Sequence, residues 1–154
     1  PGTHGVTRRR SAIAVSLVAF ALVFAACGGD DGSGSDGDTQ DPAALEGESW
    51  ILTQMLTAGG QTEIVDVGVS ASFDGTTISG NSGCNSYSAS YEATGAQISF
   101  GPIAGTAMAC GEPEGSTEAR YLQLLEGVGS YEVSGRSMSM NDADGTPVLQ
   151  FMQG

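Results

Sequence analysis

The chain has no Lys, one His (His4) and five Arg, against 18 Asp and Glu, giving 154 residues a formal net charge of −13. The Arg residues are Arg8, Arg9, Arg10, Arg120 and Arg136. No basic surface can be assembled from them that would neutralise a row of phosphates, which excludes nucleic acid as a partner. Aromatic residues are also scarce, at 6%. An apolar content of 40% supports one modest core and not two, so a single domain with short appendages is expected.

No apolar run is long enough for a membrane-spanning helix. The longest, Ala12 to Ala26, is broken only by Ser16. Fifteen residues rise only ~22 Å as a helix, short of the roughly 20 residues a span requires. A triple Arg, an apolar centre of this length and small residues at its end predict a secretory signal peptide over residues 1–26. The Arg run also fits a twin-arginine export signal. Phe24-Ala25-Ala26-Cys27 resembles the lipobox of bacterial lipoproteins. That resemblance implies cleavage before Cys27, lipid modification of its thiol, and anchoring to the outer face of the bacterial cell membrane. A plain signal peptide with an incidental Cys is the alternative.

Removal of residues 1–26 sharpens the absences. The remainder keeps 2 Arg against 18 acids, a net −16, with neither His nor Lys. Ser–His and Cys–His nucleophiles, His metal sites and Lys Schiff bases are then excluded. No cofactor and no metal are expected, and acid–base chemistry would fall to carboxylates, Tyr or thiols. The stretch GGDDGSGSDGDTQD, residues 28–41, has nothing to bury and predicts a disordered tether within residues 27–43, with a reach on the order of 20 Å. Its Asp spacing does not match a calcium loop.

What is there, from residue 44 to 154, is strand rhythm. Val69, Ala71 and Phe73 alternate, as do Tyr87, Ala89 and Tyr91, then Ile98 and Phe100, Tyr131 and Val133, and Met138 and Met140. Period two marks half-buried strands. Asp74-Gly75, Thr94-Gly95, Ser134-Gly135 and Asp144-Gly145 punctuate them, with Gly expected second in two-residue hairpin turns. The pattern predicts an α+β fold, an antiparallel meander of hairpins with one packed helix. That helix is expected to start at Ser116 as cap, with Glu118 near the positive dipole end and Tyr121, Leu122, Leu125 and Val128 on one face. Gly127 and Gly129 supply its stop. Cys84 and Cys110 form an even pair in an exported chain, so a disulfide is the default, worth about 3.5 kcal/mol in the chain-entropy model.

Gly80-Asn81-Ser82-Gly83-Cys84-Asn85-Ser86-Tyr87, with Tyr91 beyond, resembles the hallmark of the META domain family, the HslJ-like proteins. So does Thr106-Ala107-Met108-Ala109-Cys110 with Glu118 ahead of Tyr121-Leu122. The segment around Trp50 looks like the family's opening strand and Val148–Phe151 like its closing one; Ala89 stands where the family usually has Gly. The resemblance implies a strongly curved, barrel-like sheet carrying one helix, no catalytic residues, and a link to envelope stress. From the residues themselves, Gly80 and Gly83 permit close approach or unusual φ, and Asn85 tolerates the left-handed region. The hallmark is then a structural lock or, alternatively, an anion-binding nest.

Three function classes follow. The first is a lipid-anchored, monomeric, non-enzymatic envelope module that binds a protein, a peptide or a small apolar ligand. The second is a carboxylate hydrolase of cell-wall glycans using Glu112, Glu114 and Glu118. The third is a scaffold without a discrete site. A cavity beneath Trp50, Tyr87 and Tyr91 would favour binding inside the barrel, and a filled core the scaffold.

Overall fold

The structure is a computed structural model and describes residues 40–154, together with Gly2. The expected signal peptide, apart from Gly2, the expected lipidation site Cys27 and the expected tether as far as residue 39 lie outside the described residues.

Ten strands and one helix follow a short 3-10 turn at Pro42–Leu45. They are β1 (Ser49–Leu56), β2 (Thr62–Ile64), β3 (Ser70–Asp74), β4 (Thr77–Asn81), β5 (Ser86–Thr94), β6 (Gln97–Phe100), β7 (Ala104–Gly105), α1 (Glu114–Glu126), β8 (Val128–Ser134), β9 (Ser137–Asp142) and β10 (Pro147–Gln153). Neighbours pair in the order β10-β9-β8-β6-β5-β4-β3-β1, and β10 pairs back onto β1, closing an eight-stranded antiparallel barrel. Closure removes the sheet edges that an open meander would leave exposed. β2 extends from β1 and β7 from β5.

The alternating residues line the interior. Trp50, Leu52, Ala71, Phe73, Ile78, Tyr87, Ala89, Tyr91, Ile98, Tyr131, Met138, Met140, Leu149 and Phe151 are all buried. Their strand neighbours face outward and are mostly Ser, Thr and Gln, as in β5, where buried Tyr87, Ala89 and Tyr91 alternate with exposed Ser86, Ser88 and Ser90. Gly75, Gly95 and Gly135 carry φ near +58° (58°, 57° and 59°) in the hairpin turns. The pairings Asp74↔Thr77, Thr94↔Gln97 and Ser134↔Ser137 put each Gly first in its two-residue turn, not second as the dipeptides suggested. Both primed turn types need positive φ at that first place.

Each end of the barrel is covered. At one, Asp41 accepts from the Ala43 amide to start the 3-10 turn, Gln40 Oε1 accepts from Val133 N at 2.9 Å, and Leu45 is fully buried. Trp50 Nε1 donates to the Leu45 carbonyl at 3.0 Å and ties this strap to β1. At the other end lies α1, which buries Thr117, Tyr121, Leu124 and Leu125.

The helix differs in detail from its sequence pattern. It starts at Glu114 after Pro113, with no side-chain cap; Ser116 is inside the first turn and bonds the Pro113 carbonyl instead. Val128 belongs to β8, and Leu124 takes the buried position while Leu122 is only partly covered. The periodicity located the helix but not its phase, because the chain turns directly from Gly127 into β8 and the apolar rhythm runs through the junction.

Candidate functional site

The hallmark residues meet where α1 covers the barrel. β4 ends at Asn81 and β5 begins at Ser86, so Ser82–Asn85 form the connection between them. Gly80 lies opposite Tyr87 across the β4–β5 ladder. A Cβ at Gly80 would sit 2.0 Å from the Ser70 carbonyl oxygen, so only Gly lets β3 approach there. The same carbonyl accepts the Tyr87 hydroxyl at 3.2 Å. Tyr87 has one proton and gives it to that carbonyl, so Tyr121 on α1 is the donor in the Tyr87–Tyr121 hydroxyl pair. The two rings pack edge to face at 5.5 Å, and Tyr121 packs in turn against Phe151 of β10. Burial drives both phenol pKa values above the ordinary 10.0, so both stay protonated donors.

Gly83 has φ +114° and its amide donates to Asn81 Oδ1 at 2.7 Å. Cys84 is joined to Cys110 by a disulfide with Cα atoms 6.1 Å apart, which fastens the segment before α1 to the β4–β5 connection. Asn85 is buried and its carboxamide is fully used. Oδ1 accepts from Met108 N and from Thr106 Oγ1, each at 2.8 Å. Nδ2 donates to Glu118 Oε1 at 2.9 Å and to the Met108 carbonyl at 3.3 Å. What the structure shows this position using in Asn85 is its fork of donor and acceptor.

Glu118 completes the arrangement. Its Oε2 accepts from the Asn85 amide at 2.8 Å and from the Ser82 hydroxyl, while Oε1 takes the Asn85 carboxamide. The Ser82 bond above all, then the Asn85 side-chain and backbone bonds and the Cys84 amide, hold its carboxyl pKa below the usual value. Glu118 stands in the second turn of α1 and acts across the interface, not as a partner of its own helix dipole. The loop's backbone donors are thus taken up within the chain: the Asn85 amide points at Glu118, an anion the chain supplies itself, and the Gly83 amide at Asn81 Oδ1. Ser82, with no exposed surface, was part of the motif yet gave no separate signal; a Ser between Asn and Gly reads as loop until its Glu118 partner is known.

Of the other expected residues, Tyr91 lies further along the barrel, edge to face with Phe73 at 5.1 Å, its hydroxyl 3.5 Å from Glu46. Trp50 is in the interior near the strap. Met108 contributes its backbone only, and its side chain is 61% exposed. Glu112 and Glu114 are exposed and have no part in the Glu118 network. Trp50, Tyr87 and Tyr91 retain at most 5% of their surface, so no ligand-sized cavity opens beneath them inside the barrel; the space that Tyr91 borders is an open surface concavity of about 420 Å³, shared with Thr76, Ser90 and Ser99. A surface concavity of about 520 Å³ is an open groove on the outside of β1, β10, β9 and β8, lined by groups such as Thr53, Ser137, Ser139 and Gln150.

Comparison with known proteins places this architecture. A META domain model matches residues 43–154. Among solved structures, the chain is similar to a Burkholderia xenovorans protein determined by NMR, at 30% identity and a TM-score of 0.62, over 82% of this chain and 97% of that one. A second NMR structure matches at 18% identity and TM-score 0.56, over 74% and 95% of the two chains. A crystal structure of a DUF4847 family protein from Bacteroides vulgatus matches at 12% and 0.53, over 70% and 93%. The last two share the fold alone. No curated protein matches the sequence. With the family model covering the whole barrel, the chain belongs to the META domain family.

Proposed function

We propose that this protein is a non-enzymatic, lipid-anchored module of the bacterial cell envelope that meets a protein or peptide partner on its outer surface and supports the envelope under stress. One observation carries the reading: the polar groups of the hallmark are spent on one another. Both Glu118 oxygens and all four directions of the Asn85 carboxamide are engaged internally, so the motif holds the helix on the barrel and offers no free acid or base. The packed interior leaves no seat for the small apolar ligand that a hollow barrel would have taken, and a partner is met outside. The packed interior also favours a second reading, a scaffold with no discrete site. The hydrolase reading loses its best-placed carboxylate, Glu118, to the lock.

Two measurements test the proposal. Mass spectrometry of the native protein is expected to find a diacyl or triacyl group on Cys27; an unmodified cleaved terminus removes the anchor. Crosslinking in intact envelopes is expected to capture a discrete partner, and its consistent absence favours the scaffold. A glycan-cleaving rate abolished by an acid-to-amide change would overturn the non-enzyme reading.

A further inference from the structure

The closed barrel leaves one strand of the β1 ladder without an outer neighbour. β2 pairs with β1 through Gln54↔Ile64, Met55↔Glu63 and Leu56↔Thr62, and stands at the end of the strand order. The flanking bonds fix which groups face which way. Thr57 N donates to Gln61 O at 2.7 Å and Val65 N to Thr53 O at 3.0 Å. Hydrogen-bonded pairs alternate in an antiparallel ladder, so residues 61, 63 and 65 face β1, and Thr62 and Ile64 turn their N–H and C=O groups outward. All three β2 residues are exposed, and Ile64, at 75%, is the most exposed large apolar side chain among the described residues.

Such an edge is a template for a further strand, which proteins commonly blunt with Lys. This chain has no Lys. Its β2 edge carries acids instead, Glu63 within the strand and exposed Asp66 just beyond. An acidic guard is selective. Pairing β2 with the β2 of a second copy would bring Glu63 and Asp66 of both chains together, between molecules that are each strongly negative. A strand bearing Lys or Arg meets no such repulsion.

We infer that the β2 edge is a docking strand for an extended basic segment of another protein, which adds to the sheet through the Thr62 and Ile64 backbone and covers the Ile64 side chain. The inference rests on the binding-module reading above but not on the lipid anchor. Main-chain bonds at Thr62 and Ile64 would hold the segment, and its cations would face Glu63 and Asp66. Because the Ile64 N–H points away from β1, a Pro there removes an outward donor without breaking the β1–β2 ladder.

The test is an NMR titration of the 15N-labelled protein with the capped peptide Lys-Val-Lys-Val-Lys-Val and with its Glu-Val-Glu-Val-Glu-Val counterpart. The basic peptide is expected to move the Thr62 and Ile64 amide signals saturably, with weakening at high salt, and the acidic peptide to leave them in place. In Ile64→Pro, which has no amide of its own at that position, the saturable Thr62 response is lost while the Met55 and Thr57 signals of the ladder keep their positions. Should the Pro variant disturb those signals, Ile64→Lys, which sets a cation on the edge, is expected to lose the response with the hairpin intact. Non-saturating shifts spread over the acidic surface, or an undiminished response in either variant, overturn the inference. So do concentration-dependent Thr62 and Ile64 shifts in the protein alone, which would mean self-pairing.

Discussion

At the level of single residues, Gly80, Asn85, Tyr87 and Glu118 are explained by the contacts they make where α1 meets the barrel. Gly80 is the most constrained, since a methyl group there meets backbone rather than a side chain that could swing away. Gly80→Ala is expected to cost about 3 kcal/mol, at the upper end for overpacking, and to loosen the β3–β4 pairing; the denaturant midpoint measures it. Glu118 adds a pH dependence. Its folded pKa lies below the ordinary 4.5, so its contribution is fully present above that value and is lost as pH falls through the lower, folded one. Glu118→Gln is therefore expected to be less stable at neutral pH, because its amide nitrogen confronts other donors. The gap to the wild-type protein should close on acidification. A gap that stays constant with pH would show that the charge of Glu118 plays no part.

Between elements, the disulfide and the Asn85 carboxamide do the same job by different means. Both fix the Thr106–Cys110 segment against the β4–β5 connection just before α1 begins. Replacing Cys84 and Cys110 by Ser is expected to lower stability by about 2–4 kcal/mol, yet to leave the fold intact, with the Asn85 bonds still in place. Equilibrium unfolding of oxidised, reduced and double-Ser forms checks this. A reduced form as stable as the oxidised one would count against it. The strands were legible in the sequence because burial on one side of a barrel imposes strict alternation, seen in Tyr87–Ala89–Tyr91 and Met138–Met140. β2 was not, since its three exposed residues carry no apolar rhythm. The helix boundary is not legible, because Ser116 resembles a cap, whereas Pro113 stands at the cap position, three residues earlier.

For the molecule as a whole, the closed ring of eight strands explains how so small an apolar share suffices. The inward positions carry most of the large apolar side chains, and the outward ones are mostly Ser, Thr and Gln with scattered acids. The residues of the site could be read from the motif, but not their function as a unit. Asn85 and Glu118 are 33 positions apart, and only the fold shows that they share hydrogen bonds. The central claim is that these residues form a lock rather than a reactive centre. A double-mutant cycle on Asn85→Ala and Glu118→Ala, read by chemical denaturation, tests it most directly. The lock predicts that each single change is destabilising and that the two are coupled by about 1–3 kcal/mol. Unchanged unfolding midpoints with strictly additive effects would contradict it.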